Sequence, residues 1–77
     1  MHSTNLLGPL FKRSRIKAGL TQAQVCNRLS EQGIKMDRTT LARVEGQKRK
    51  LKDLEMVALV EVLGITLGEV EKAFQEG

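Results

Sequence analysis

Several residue types that commonly stabilise a small protein or form its functional site are scarce in this chain. Its 77 residues include one cysteine, one proline and one histidine, two phenylalanines, and neither tryptophan nor tyrosine. The single cysteine, Cys26, excludes an internal disulfide and a cysteine-rich metal site. Since His2 is the single histidine and no glycine-rich phosphate loop is present, the sequence has no set of residues suited to catalysis or metal binding. We therefore expect neither an enzyme nor a metal or cofactor site.

Long apolar runs are also lacking. The longest, residues 56–60, has five residues, whereas a membrane-spanning helix needs about 20, and no segment resembles a signal peptide. We expect a soluble protein of the cytoplasm, associated with the nucleoid, that has no membrane partner. The length predicts one domain over residues 1–77, with its core between residues 7 and 74 and only about 60% of the unfolded surface buried.

The charges are unevenly divided along the chain. The formal net charge is +4, but residues 12–52 hold twelve of the thirteen lysines and arginines against three acids, a net of +9, and residues 53–77 carry −5. A basic segment on a small domain indicates a polyanion as partner, because phosphates release counterions when cations approach them. On charge alone, simple hydration of the helix surfaces is an equal alternative.

Capping and helix-breaking residues divide the sequence into five helical segments, and no segment alternates in the manner of a strand. Thr21 with Gln24 and Thr66 with Glu69 each have the pattern of a capping box, and Asp37 is a favourable N-cap. An all-α domain is therefore predicted, with helices near residues 9–19, 21–32, 38–44 and 53–64 and a fifth that begins at residue 66.

Apolar residues at helical spacing predict which side of each helix is buried. The expected inward residues are Leu7, Phe11 and Ala18 in the first helix, Val25, Cys26 and Leu29 in the second, Ile34 and Met36 in the turn, Leu41 and Val44 in the third, Met56, Leu59, Val60 and Leu63 in the fourth, and Leu67, Val70 and Phe74 in the fifth. The fourth helix is apolar from position 54 to 63 except at Glu55 and Glu61. That surplus requires a second partner, so Leu54, Val57 and Val62 are the candidate interface of a homodimer.

The second and third helices have the layout of a helix-turn-helix reader of duplex DNA. In the third helix Arg38, Thr39, Thr40 and Arg43 are polar, while its two inward apolar residues share one face. One face can therefore pack against the domain while the other is free to bind.

Four stretches between Leu7 and Phe74 resemble the lambda-repressor-like helix-turn-helix family, which includes phage repressors, Cro proteins and xenobiotic-response-element regulators. They are GLTQAQV at residues 19–25, TTLARVEG at 39–46, the basic loop QKRK at 47–50, and LVEVLGITLGEV at 59–70. The order and separation of these stretches are more specific than any one of them. The resemblance implies a five-helix DNA-binding domain whose helix-turn-helix is formed by helices 2 and 3.

Family geometry implies which residues meet DNA. Base contacts fall at Arg38, Thr39 and Arg43, and these side chains suit the task, because Arg binds guanine O6 and N7 bidentately and Thr can donate, accept or touch a thymine methyl. The residues expected at the sugar-phosphate backbone are Thr21, Gln22, Lys35, Thr40, Gln47, Lys48, Arg49 and Lys50. For each of them, a side chain that is merely solvated is the alternative.

The resemblance also implies a structural ion pair between Arg15 of the first helix and Glu45 at the end of the third. Cys26 takes a position that the family usually gives to Ala, so a small packed residue is expected there rather than a redox switch. The turn is longer than in the shortest family members, with residues 31–35 as the surplus, which could lengthen the second helix by a turn. Gly46 stands where the family often has an Asn that contacts phosphate, and Gln47 could replace that contact.

The function that these features predict is sequence-specific binding of double-stranded DNA by a transcriptional repressor. It would act as a homodimer on a two-fold operator, with the third helix in the major groove. The alternative, from another class, is a protein-interaction module of the same fold, an antitoxin-like or coactivator-like partner of a second protein. Arg38, Thr39 and Arg43 discriminate the two, because a pure scaffold has no need of side chains suited to base edges.

Overall fold

Five α-helices form the regular structure of residues 5–76, the part of the chain that the computed structural model describes. They are α1 (Gly8–Lys17), α2 (Gln22–Glu31), α3 (Arg38–Glu45), α4 (Asp53–Leu63) and α5 (Leu67–Glu76). No strand occurs within this range, so the predicted all-α architecture of five helices is confirmed. None of the described helices is both long and apolar enough to cross a bilayer. His2 lies outside the described residues.

The predicted helix starts are present as hydrogen bonds. Thr21 Oγ1 accepts from the Gln24 amide at 3.1 Å, and Gln24 Oε1 accepts from the Thr21 amide at 2.8 Å. Asp37 Oδ1 accepts from the Thr40 amide at 2.7 Å, and the hydrogen bonds from Thr40 lower the pKa of Asp37. Thr66 and Glu69 repeat the reciprocal arrangement at the start of α5. Each cap satisfies amides that a helix leaves without an internal partner.

One core joins the first four helices. Its members are Leu7, Leu10, Phe11, Val25, Leu29, Met36, Leu41, Val44, Ala58, Leu59 and Ile65. Phe11, Leu29, Leu41 and Leu59 are its largest fully buried side chains. Since these four residues come from α1, α2, α3 and α4 in turn, every helix except α5 contributes a large side chain to the same centre.

The turn between α2 and α3 is shaped by its apolar residues. Gly33 has a left-handed backbone with φ +81°, and the Ile34 amide donates to Leu29 O at 2.9 Å, which closes α2. Met36 is buried and Ile34 packs against the core, as predicted. The surplus residues therefore do not lengthen α2 beyond Glu31, and the turn is anchored instead of loose.

Three predicted inward residues outside α4 are wrong. Ala18 is exposed, because it caps the end of α1, and Leu10 is buried in its place. Leu67 and Phe74 of α5 are 75% and 71% exposed, and the half-buried side of that helix is formed by Val70 and Ala73. The reason is that α5 follows a short turn and lies on the outside of the shared core, so only a narrow stripe of it is covered.

The orientation of α4 also differs from the prediction. Glu55 is buried and Val62 packs against the core, whereas Met56, predicted to face inward, is 37% exposed. Glu55 can be buried because its carboxylate accepts from Arg49 Nη1 at 2.9 Å, from Arg49 Nη2 at 3.2 Å and from the Lys52 amide at 3.0 Å. Val62 is consequently not available as an interface residue.

The start of α1 lies directly against the end of α3. A Cβ added to Gly8 would clash with Val44 O, and it would stand 3.0 Å from Glu45 O and 3.1 Å from Asn5 Oδ1. The first two of these atoms belong to the helix backbone, which cannot move aside as a flexible side chain can. Glycine at this position therefore permits the close crossing of two helices.

Substitution of Gly8 by Ala should destabilise the protein, although Ala favours a helix. We expect Gly8→Ala to lower the free energy of unfolding by about 1–3 kcal/mol, since the crossing must open. Gly68→Ala is the matched control, because its Cβ would meet only Thr66 Oγ1 at 3.9 Å. It should be neutral or raise stability by about 0.5–1 kcal/mol. Urea unfolding followed by circular dichroism measures both, and a stabilising Gly8→Ala would contradict the crossing.

Candidate functional site

The exposed face of α3 is the first part of the candidate site. Arg38, Thr39, Ala42 and Arg43 are exposed, whereas Leu41, Val44 and Glu45 on the other side are buried. Residues spaced by one, four and five lie on one side of a helix. The three predicted base-contact residues therefore share a face with Ala42. The sequence analysis missed this small residue, although its position four residues after Arg38 places it on the same face.

A shallow groove of about 830 Å³ runs beside this face. It is bounded by the C-terminal half of α1, the start of α2 and α3 from its first residue to its last, and its exposed or half-buried lining includes Lys12, Thr21, Gln22, Arg38 and Ala42. Two of these five residues are cations, and the other three are polar or small. Lys12, on the exposed side of α1, is a further candidate that the sequence analysis did not single out.

An ion pair forms the floor of the groove. Arg15 Nε donates to Glu45 Oε2 at 2.7 Å, Nη2 donates to Glu45 Oε1 at 3.2 Å, and Nη1 donates to Leu20 O at 3.0 Å. The side chains are only 13% and 4% exposed. The structure thus brings together the two residues that the resemblance paired, and it ties α1, the following turn and the end of α3 to one another.

Gln22 belongs to the same network. Its Nε2 donates to Glu45 Oε1 at 3.1 Å, and the residue is half-buried. One of the two Nε2 hydrogens is thus used within the protein, and the second remains a donor, so the predicted contact of this side chain with the DNA backbone stays a prediction. The backbone amides of Gln22 and Ala23, at the first turn of α2, are the donors that helix geometry leaves free at this point.

The basic loop of residues 47–50 alternates between anchored and exposed side chains. Lys48 and Lys50 are exposed, as a phosphate-binding role requires. Arg49 is instead paired with Glu55, and Gln47 Nε2 donates to Asn5 O at 2.9 Å. Gln47 and Arg49 are thus engaged by partners within the protein, but both are only half-buried, the Arg49 side chain being 29% exposed, and their contact with the DNA backbone stays a prediction.

The ionisation of Glu55 follows from that anchoring. Burial disfavours its charged form, but the hydrogen bonds from Arg49 and from the Lys52 amide outweigh burial and lower the pKa of the carboxyl. The same hydrogen bond raises the pKa of Arg49. Both groups are thus charged at neutral pH, and the pair closes the loop onto the start of α4.

The remaining predicted contact residues lie around α3. Thr39 is exposed, Thr40 is half-buried, and Lys35 in the turn is exposed. Thr21 is exposed, although its hydroxyl oxygen already accepts the capping hydrogen bond. Cys26 packs against the core, and burial, followed by the carboxylates of Asp37 and Glu45, raises the pKa of its thiol. A protonated, half-buried thiol is a poor nucleophile.

Most cations of this region are not neutralised by acids. Within residues 5–76 the salt bridges are Arg15 with Glu45 and Arg49 with Glu55. Asp37, the other acid close to α3, is engaged in the helix cap. The exposed cations on and around α3 are Lys12, Lys35, Arg38, Arg43, Lys48 and Lys50. The exposed positions of α3 and of the segments that flank it in the chain therefore carry a net positive charge.

Comparison of the chain with protein-family models, with curated proteins and with solved structures finds no match. Among the residues that the structure describes, no cluster of three or more His, Cys, Asp or Glu side chains could hold a metal ion. The site must therefore be interpreted from its own geometry and charge.

Loss of the buried ion pair should destabilise the protein far more than loss of an exposed cation. We expect Arg15→Ala to lower the free energy of unfolding by about 3 kcal/mol, because Glu45 would stay buried without its cation. Arg13→Ala removes the same charge from the exposed side of α1 and should cost no more than about 0.5 kcal/mol. Thermal and urea unfolding measure both, and equal losses would show that the pair has no structural role.

Proposed function

We propose that this protein is a sequence-specific, double-stranded DNA-binding repressor, in which α2 and α3 form the helix-turn-helix of a lambda-repressor-like domain. The observation that carries the proposal is the composition of the exposed face of α3. That face combines Arg38, Thr39, Ala42 and Arg43 and is surrounded by exposed cations.

The dimensions of α3 suit the major groove. Its eight residues span about 12 Å at about 1.5 Å per residue, which is close to the width of the groove of about 12 Å. Arg38 and Arg43 stand near opposite ends of the helix, where each can bind a guanine. Ala42 between them allows close approach, and Thr39 can meet a base edge or a thymine methyl.

Two groups of donors suit the flanking phosphates. The first group is the Gln22 and Ala23 amides, which carry the positive end of the α2 dipole and border the groove that Lys12 also lines. The second is the pair of exposed lysines, Lys48 and Lys50, in the loop that follows α3. Contacts of this kind set affinity and register, while base-edge contacts set sequence choice.

A two-fold operator requires a second copy of the chain. The α3 helices of the two copies must lie about 34 Å apart, the length of one turn of DNA. One domain measures 31 Å along its longest axis, so a single copy is too short to reach both half-sites. We propose that the exposed side of α4 supplies the interface, because Leu54 is 73% exposed and Val57 is 50% exposed. Burial of both on a symmetric partner would remove apolar surface from water.

Selection from a random duplex pool tests the DNA-binding proposal. Wild-type protein should enrich a two-fold motif whose half-sites contain guanines, and Arg43→Ala should relax one position of that motif at a cost of about 1–3 kcal/mol. Lys50→Ala should weaken binding to all duplexes alike and reduce the salt dependence, because it removes one phosphate contact.

Lys72→Ala is the matched control for charge, since Lys72 is exposed on α5, a helix to which the proposal assigns no contact with DNA. It should leave affinity and motif nearly unchanged. If wild-type protein enriches no motif and neither Arg43→Ala nor Lys50→Ala alters binding to any duplex, the protein-interaction module becomes the better interpretation.

Sedimentation equilibrium tests the interface on α4. We expect the wild type to be dimeric at high micromolar concentration and Leu54→Glu to be monomeric, because a buried charge without a partner opposes association. Ile16→Glu is the control, since Ile16 is also exposed, at 59%, but lies on α1. A wild-type protein that stays monomeric both with and without operator DNA would rule out the dimer.

A further inference from the structure

Asn5 lies at a junction of four hydrogen bonds that the sequence did not indicate. Its Oδ1 accepts from the Gly8 amide at 2.6 Å, and its Nδ2 donates to Val44 O at 3.1 Å and to Arg49 O at 2.8 Å. Its backbone carbonyl accepts from Gln47 Nε2 at 2.9 Å. Both hydrogens and the oxygen of the side-chain amide are thus used.

The two ends of this amide act on different elements. The oxygen caps α1, whose own N-cap residue, Leu7, supplies no side-chain hydrogen bond. The nitrogen bridges the carbonyl of Val44 in the last turn of α3 and the carbonyl of Arg49 in the basic loop. One side chain therefore sets the position of the loop relative to the end of α3.

The loop is held in a conformation that a free chain would rarely adopt. Gln47 has a left-handed backbone with φ +61°, a conformation that has a free-energy cost for a residue with a Cβ. The hydrogen bond of its side chain to Asn5 O offsets that cost. The ion pair with Glu55 anchors Arg49, two residues further along the loop. With residues 47 and 49 anchored, Lys48 and Lys50 extend outward from a fixed frame.

We propose that Asn5 is a positioning residue for phosphate binding, one that touches no DNA and acts by ordering the loop at the end of α3 that carries Lys48 and Lys50. The DNA part of this inference rests on the proposed function, whereas the ordering of the loop does not. A preformed loop loses little conformational entropy on binding. Affinity for DNA should therefore fall when the Asn5 tether, the two hydrogen bonds from Nδ2 to Val44 O and Arg49 O, is removed. Asp cannot replace Asn5, because a carboxylate accepts from Gly8 but donates to neither carbonyl.

That difference supplies a sharp variant. Asn5→Asp keeps the shape of the side chain and the cap of α1, where a carboxylate is favourable, but it replaces the donor to Val44 O and Arg49 O by an oxygen that repels both carbonyls. Asn27→Asp is the matched control, because it adds the same negative charge at an exposed position of α2. Asn5→Ala, without a charge change, provides a second test of the same tether.

We expect Asn5→Asp and Asn5→Ala to weaken binding to the selected operator about tenfold, the equivalent of one or two net hydrogen bonds. The base preference at the position read by Arg43 should be unchanged. In a background with Lys48→Ala and Lys50→Ala, the Asn5 variants should have no further effect, because residues that act through one another are not additive. Binding is measured at a temperature at which circular dichroism shows every variant to be fully folded.

An Asn5 effect of equal size in both backgrounds would overturn the proposal, since Asn5 would then act through general stability alone. Heteronuclear ¹⁵N NOE values for residues 46–50 test the loop without DNA: we expect rigid amides in wild type and Asn27→Asp, and mobile ones in Asn5→Asp. Unchanged NOE values would also refute the tether. If wild-type protein binds no duplex, the proposed function fails, and the NOE data still decide whether Asn5 orders the loop.

Discussion

The arrangement of the first three helices depends on how the buried carboxylate of Glu45 is satisfied. A charge in the interior is tolerated only with a counter-ion and hydrogen bonds. Arg15 supplies both, Gln22 adds a third donor, and the guanidinium also reaches Leu20 O. These groups belong to α1, to the turn after it, to α2 and to α3. The hydrogen bonds around the Glu45 carboxylate therefore fix where the start of α2 lies relative to the exposed face of α3.

The basic residues of the chain are used in two different ways. Arg15 and Arg49 compensate the buried carboxylates of Glu45 and Glu55, and they determine how α3 and α4 meet their neighbours. The exposed cations around α3 have no such role in the fold, and our proposal assigns them to DNA. Within residues 5–76 no buried side-chain nitrogen or oxygen lacks a hydrogen-bond partner, so the structural polar groups are satisfied without drawing on the exposed ones.

The junction at Asn5 and the Glu55 ion pair give the loop after α3 a defined shape. A loop with four consecutive polar residues would ordinarily be among the most mobile parts of a small domain. Here Asn5 and Glu55 anchor its alternate residues, Gln47 and Arg49, so the backbone that carries the exposed lysines is held in place. On the proposed function, this preorganisation serves affinity, whereas the exposed face of α3 serves sequence choice.

The sequence by itself determined the five helices, the caps of α2, α3 and α5 and the two sides of α3, because each of these depends on residues within about one helical turn. Contacts between distant residues were decided only by the tertiary structure. Asn5 meets residues 39 and 44 positions away, and the burial of Glu55 requires Arg49 to reach it. Arg15 and Glu45, 30 positions apart, were paired through family resemblance and not by spacing. Local patterns carry no information on which distant polar group will satisfy a buried one, so the roles of Gln47, Arg49 and Asn5 became visible only once the helices were packed.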